Sequence, residues 1–133
     1  APLTGIPGVR FIDLQYGDTA EERRQFEDHT GVTVLHDEHV DQMSDLDAFA
    51  AQVAAMDLVI SVSNTTVHMS GALGVPTWVM LNTVPLPCWL LERDDSPWYP
   101  SVRLFRQPAA GDWANVTERI GKALAGLAGR SKI

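Results

Sequence analysis

The sequence predicts one α/β domain, residues 1–133, built on a parallel β-sheet. Two observations carry this prediction: β-rich and helical segments alternate along the 133 residues, and the third and fourth β-rich runs are almost continuously apolar. Strands that are covered on both faces by crossover helices have this composition. Right-handed crossovers then place helices on both sides of the sheet, which gives a three-layer arrangement.

Five short runs are rich in apolar and β-branched residues, which is typical of strands. They cover residues 9–14, 32–35, 58–62, 77–81 and 102–106.

Helix start signals stand ahead of the first two helical segments. Thr19 and Glu22 have the spacing of a capping box before a helix that ends near His29. Ser44 and Asp47 give a similar signal for the second helix.

The third helix is expected over residues 64–73 and stops at Gly74 and Pro76. Asp112 is placed to cap a fourth helix that carries an apolar stripe. Only the connection over residues 82–101 is long, and it is rich in proline and aromatic residues. Such a loop is either functional or a stiff cover over one edge of the sheet.

Composition limits the kinds of partner. The formal net charge of −7 disfavours nucleic acid and anionic lipid, and no apolar run reaches membrane-spanning length. A single cysteine, Cys88, fits a reducing compartment. The first residues lack the pattern of a signal peptide and read as a loop cut from within a longer chain. We therefore expect a cytoplasmic protein that neither inserts into a membrane nor binds nucleic acid.

The carboxyl ends of the strands are the expected ligand site, because ligands of open parallel sheets bind there. The candidate binding residues at these ends are Gln15, Gly17, Ser63, Asn64, Thr65, Thr66 and Asn82.

The turn after the third strand is the most informative of these ends. Asn64, Thr65 and Thr66 lie where a helix begins, with unpaired N–H groups and a partial positive charge. A diphosphate could be held there without a lysine, and Gly71 and Ala72 would let the helix pack closely on the sheet. The same residues are also preferred helix caps, so capping alone is the competing interpretation.

Two acidic clusters resemble metal sites. The run from His36 to His39, followed by Asp41, contains two histidines and carboxylates, but we expect it to be a solvated loop. Asp45 and Asp47 open a helix and are interpreted as capping residues. The sequence therefore predicts no metal site.

The segment 61–79 resembles the C-terminal signature of heptosyltransferase-like glycosyltransferases. The family pattern is a buried strand, Ser-Val-Asp-Thr-Ala/Gly-x-x-His, a small-residue helix, Gly-x-Pro and another buried strand. Segments 11–17, 89–100 and 103–107 also resemble the glycosyltransferase-like domain that follows tetratricopeptide repeats in many bacterial proteins. The matching residues are Ser61-Val62-Ser63-Asn64-Thr65-Thr66-Val67-His68 and Gly74-Val75-Pro76.

This resemblance implies the C-terminal, Rossmann-like half of a GT-B fold, which binds a nucleotide diphosphate-sugar, usually without a metal or other cofactor. Thr65 and Thr66 match positions near the donor phosphates, and His68 matches the motif histidine near the same group. Asn64 departs from the aspartate of many relatives, and an amide cannot act as a base. Catalytic residues and the acceptor, a protein or a glycan, remain unassigned.

Three functions follow from these observations. The leading one is the donor-binding part of a glycosyltransferase, whose isolated fragment we expect to be inactive. The second is a nucleotide-binding or protein-interaction domain that has kept the fold and lost catalysis. A dinucleotide or receiver domain is disfavoured, because no Gly-x-Gly-x-x-Gly follows the first strand and the third strand does not end in aspartate.

Overall fold

The computed structural model describes residues 5–130 and has an α/β architecture with parallel strands. A short 3₁₀ turn at Pro87–Trp89 interrupts the long connection between the last two strands. The elements follow in the order β1 (Phe11–Ile12), α1 (Ala20–Thr30), β2 (Val34–Leu35), α2 (Leu46–Ala54), β3 (Val59–Val62), α3 (Thr65–Ala72), β4 (Thr77–Leu81), β5 (Val102–Arg106) and α4 (Trp113–Arg130).

The described residues divide into two compact units. The first unit contains residues 5–49 and 117–130, and the second unit contains residues 50–116. None of the helices within residues 5–130 is both long enough and apolar enough to cross a membrane.

The first unit contains strands β1 and β2, which pair in parallel with Phe11 opposite Val34. The backbone N–H of Asp13 extends this pairing by donating to the carbonyl of Leu35 at 2.8 Å. Helix α1 follows β1 and ends at Gly31, whose φ of 69° is the left-handed conformation that glycine adopts most easily.

The second unit is built on a three-stranded parallel sheet in the order β3-β4-β5. Along β4, Thr77, Val79 and Leu81 face helix α3, because the side chain of Thr77 bonds Ser70 of that helix at 2.6 Å. The core on this face contains the buried side chains of Val67, Val79, Leu81, Trp89, Val102 and Leu104.

The predicted strands β4 and β5 have the bounds seen in the structure, whereas β1 and β2 are shorter than predicted. Strand β1 ends before Asp13, whose buried carboxylate accepts bonds from its own loop and from the start of α1. A polar loop therefore replaces the end of the expected strand.

The capping box predicted for α1 is wrong. Thr19 is the N-cap residue, but its hydroxyl makes no capping bond and donates to Asp13 instead. The start predicted at Ser44 for α2 is also wrong in detail, because Asp45 accepts the bond from the N–H of Ala48. The capping roles predicted for Asp45 and Asp112 are confirmed.

Close packing of α3 on the sheet through Gly71 and Ala72 was the wrong interpretation. A Cβ atom on Gly71 would lie 2.6 Å from Cγ of Tyr99, and Ala72 is exposed. The small residue in α3 therefore makes room for an aromatic ring of the β4–β5 connection.

Candidate functional site

The carboxyl edge of the three-stranded sheet brings several of the predicted residues to one side of the second unit. Because β3, β4 and β5 run parallel, the residues that follow them meet at the same edge. These residues are Ser63 to Thr66 after β3, Asn82 after β4 and Gln107 after β5.

Asn64 fixes the start of α3 through both ends of its side-chain amide. Its Oδ1 accepts a bond from the N–H of Val67 at 3.3 Å, which is a capping interaction. Its Nδ2 donates to the hydroxyl of Ser61 at 2.9 Å. Both ends of the amide are therefore engaged, and the residue fixes the turn from strand to helix.

Thr65 and Thr66 form the first two positions of α3, just beyond this cap. Among residues 5–130, no protein atom bonds their hydroxyls or their N–H groups. Thr65 is exposed and Thr66 is half-buried. The helix therefore begins with two open N–H groups, two hydroxyls and the positive end of its dipole at the edge of the sheet.

His68 lies one turn further along α3 and is held between two aromatic residues. Its ring stacks on Trp89, with centroids 5.2 Å apart and an interplanar angle of 18°. The ring of Tyr99 meets it edge-on at 5.7 Å, and its hydroxyl lies 3.0 Å from Nδ1 of His68. The orientation of the imidazole is thus fixed from two sides.

Trp89 also fixes the turn after β3. The side chain is completely buried, and its Nε1 donates to the hydroxyl of Ser63 at 2.9 Å. Ser63 was predicted as a binding residue, and the structure gives its oxygen a partner within the protein. The proton of the Ser63 hydroxyl is still available for a further bond.

Arg106, at the end of β5, anchors the segment that carries Trp89. Its guanidinium donates to the carbonyl of Trp89 and to the carbonyl of Arg93, both at 2.7 Å. Burial lowers the pKa of this guanidinium. Leu90 and Glu92, between the two carbonyls, have φ values of 57° and 58°, a conformation that costs non-glycine residues energy.

Asn82, directly after β4, is exposed at this edge, and 66% of Trp98, in the connection between β4 and β5, is accessible. The indole N–H of Trp98 donates to the carbonyl of Cys88 at 3.2 Å, which holds the ring against the 3₁₀ turn. The sequence left open whether the aromatic residues of this loop pack or face a ligand. Trp89 and Tyr99 pack around His68, and Trp98 faces solvent.

Gln15 and Gly17 belong to the first unit, where they follow β1. The N–H of Gln15 donates to Oδ1 of Asp13 at 2.9 Å, and its side chain is exposed. Gly17 has a φ of 83°, so it forms a turn that suits glycine. Their roles in binding stay predictions.

A buried carboxylate in the first unit was missed at the sequence level. Asp13 accepts a bond from the hydroxyl of Thr19, and its Oδ2 lies 3.5 Å from Nε of Arg23 and 3.6 Å from Nδ1 of His36. The interpretation of His36 as part of a solvated loop was therefore wrong, since its side chain is 16% exposed. A charged residue within the apolar run 9–14 was the available signal.

Metal-binding groups of three or more histidine, cysteine or acidic side chains do not occur among residues 5–130. The loop that begins at His36 uses its carboxylates locally, since Asp37 accepts the N–H of His39 at 2.9 Å and Asp41 accepts the N–H of Met43 at 2.9 Å.

Comparison with known proteins gives one relative. The chain is 40% identical over 124 residues to the protein FlbA of Caulobacter vibrioides, an alignment that covers 92% of this chain and 20% of FlbA. The chain thus spans about one fifth of the length of this relative. No family model matches the chain, and no solved structure matches it.

Proposed function

We propose that this chain is the donor-binding, Rossmann-like half of a GT-B glycosyltransferase and that it binds the diphosphate of a nucleotide-sugar at the start of α3. The observation that carries the proposal is the pair Thr65 and Thr66, whose N–H groups and hydroxyls have no protein partner among residues 5–130. They lie at the carboxyl edge of a parallel sheet, where such folds bind nucleotides. The resemblance of segment 61–79 to heptosyltransferase-like enzymes agrees with this assignment.

Electrostatics support a diphosphate at this position. The first turn of a helix stabilises negative charge through its dipole and its free N–H groups, and hydroxyls add further donors. This local field acts despite a net charge of −7 for the whole chain. The same donors would stabilise the charge that grows on the leaving diphosphate during sugar transfer. Metal is not required for this stabilisation, and the acceptor is a protein or a glycan held by another part of the enzyme.

Isothermal titration calorimetry with UDP, GDP and ADP, in buffer that contains EDTA, tests the proposal. We expect one of the three to bind the 133-residue chain. Thr65→Ala and Thr66→Ala should each raise its Kd by about tenfold or more, because each removes a hydrogen bond to a charged group. Thr33→Ala is the matched control, since Thr33 is exposed and lies in the first unit. Absence of binding by all three nucleotides would contradict the proposal.

A second function, nucleotide binding without catalysis, is favoured by one specific observation. Asn64 stands where many relatives have aspartate, and its amide, which caps α3 and bonds Ser61, cannot act as a base. Turnover by a longer protein that contains this chain separates the two functions. Nucleotide binding combined with no sugar transfer to any acceptor would favour the second.

A further inference from the structure

Tyr99 contacts His68 of the candidate site, and the proposed function assigns no role to this contact. Its hydroxyl lies 3.0 Å from Nδ1 of His68. Its ring lies directly against Gly71, one turn further along α3, where a Cβ atom would come within 2.6 Å of Cγ of Tyr99. Glycine at this position therefore permits the approach that brings the hydroxyl to the histidine.

The distribution of protons in this pair follows from the available partners. The hydroxyl of Tyr99 has His68 Nδ1 as its hydrogen-bond partner, and no other acceptor contacts it among residues 5–130. A phenol is a better donor than acceptor, and with the hydroxyl as the donor the lone pair of a neutral imidazole at Nδ1 accepts. The remaining proton of a neutral imidazole then lies on Nε2, because the bond at one ring nitrogen decides which tautomer is present.

The other edge of the ring is available to a ligand. Among residues 5–130, no protein atom bonds Nε2 of His68, and the residue is only half-buried. Stacking on Trp89 prevents the ring from turning over without disturbing a completely buried indole. The Nε2–H group of His68 therefore has a fixed direction, away from Tyr99. It belongs to the same helix, α3, as the unbonded N–H groups and hydroxyls of Thr65 and Thr66.

We propose that Tyr99 is a positioning residue that holds His68 in the Nε2–H tautomer, so that the imidazole donates a hydrogen bond to an anionic oxygen of the bound ligand. The identity of that ligand as a nucleotide diphosphate rests on the proposed function. In this arrangement the histidine acts as a neutral donor rather than as a base, since the lone pair of Nδ1 is occupied by the phenol.

Nitrogen-15 NMR of the histidine rings in the ligand-free chain at neutral pH tests the tautomer directly. We expect Nδ1 of His68 to have the shift of an unprotonated nitrogen and Nε2 the shift of a protonated one. In Tyr99→Phe the two shifts should move toward each other, as the tautomers mix. Tyr16→Phe is the matched control, since Tyr16 is 69% exposed in the first unit. A proton on Nδ1 in the wild type, or unchanged shifts in Tyr99→Phe, would overturn the proposal.

Binding provides the second measurement. Tyr99→Phe should raise the Kd of the nucleotide diphosphate by about three- to tenfold, with the exposed control Thr33→Ala unchanged. If the wild type binds none of UDP, GDP and ADP, the proposed function fails, and so does the hydrogen bond proposed from His68 to the ligand. The nitrogen-15 shifts of the His68 ring then still decide whether Tyr99 fixes the tautomer. A wild type that binds and a Tyr99→Phe variant of equal affinity would show that the tyrosine positions nothing that the ligand uses.

Discussion

The guanidinium of Arg106 donates to the carbonyl of Trp89 at 2.7 Å, and this bond joins the end of β5 to the residue on which His68 stacks. The same guanidinium also donates to the carbonyl of Arg93. Leu90 and Glu92 lie between the two carbonyls, and both have positive φ values. Arg106 thus stabilises residues 89–93, whose backbone conformation is unfavourable at Leu90 and Glu92. Trp89 in this segment stacks on His68 and so orients the imidazole.

Replacing Arg106 by lysine should loosen this segment. An ammonium group cannot reproduce the planar fork that serves two carbonyls, so one carbonyl loses its partner. We expect the free energy of unfolding in urea to fall by about 1–3 kcal/mol. Amide hydrogen exchange over residues 87–93 should become faster. Arg10→Lys, at an exposed position, is the control. Equal stability and unchanged exchange in Arg106→Lys would contradict the role given to this residue.

Gly71→Ala should destabilise the chain even though alanine favours helices. The new Cβ atom would lie 2.6 Å from Cγ of Tyr99, so the ring must move. We expect a loss of about 1–3 kcal/mol in the free energy of unfolding from this overpacking. Gly126→Ala in α4 is the matched control, because nothing lies within 4 Å of its added Cβ atom. That variant should gain up to about 1 kcal/mol. Similar behaviour of the two variants would show that Tyr99 does not pack against Gly71.

Asp13→Asn should destabilise the first unit. The buried carboxylate accepts bonds from the hydroxyl of Thr19 and the N–H of Gln15, and it faces Arg23. An amide keeps only one acceptor oxygen and leaves the arginine without its countercharge. We expect a loss of about 2 kcal/mol or more in urea unfolding. Asp28→Asn, at an exposed position of α1, is the control, and equal losses in both variants would refute a special role for Asp13.

Asp95 should titrate at a lower pH than an ordinary aspartate. Its hydrogen bond from Arg93 lowers the pKa of this carboxyl below its ordinary value of about 3.9. Because the folded-state pKa is the lower one, the ion pair stabilises the fold above the ordinary pKa, and this contribution is lost as the pH falls through the folded-state pKa. Carbon-13 NMR of the carboxyl group measures the titration. Arg93→Gln should raise the pKa of Asp95 toward the ordinary value, and an unchanged pKa would show that the pair is not formed in solution.

The sequence predicts those parts of the fold that depend on local patterns. Strands β4 and β5 have the predicted bounds, because β4 is a buried run that ends at Asn82 and β5 combines apolar and charged residues between Ser101 and Gln107. The cap at Asn64 also follows from neighbouring residues. The partners of His68 do not, since Tyr99 lies 31 positions away and reaches the histidine only through the path of the long connection. Local sequence also fails to predict the partner of Thr19. Its hydroxyl could cap α1, but it bonds the carboxylate of Asp13, which the folded chain places beside it.

The most direct measurement of the central claim is a titration of the isotope-labelled chain with UDP, GDP and ADP, followed through the backbone amide shifts. Binding of a diphosphate at the start of α3 should shift the amide signals of Thr65 and Thr66 most, because its oxygens accept bonds from those N–H groups. The ring signal of His68 Nε2 should move with them. Saturable shifts that centre on other residues, or none with any of the three nucleotides, would contradict the account.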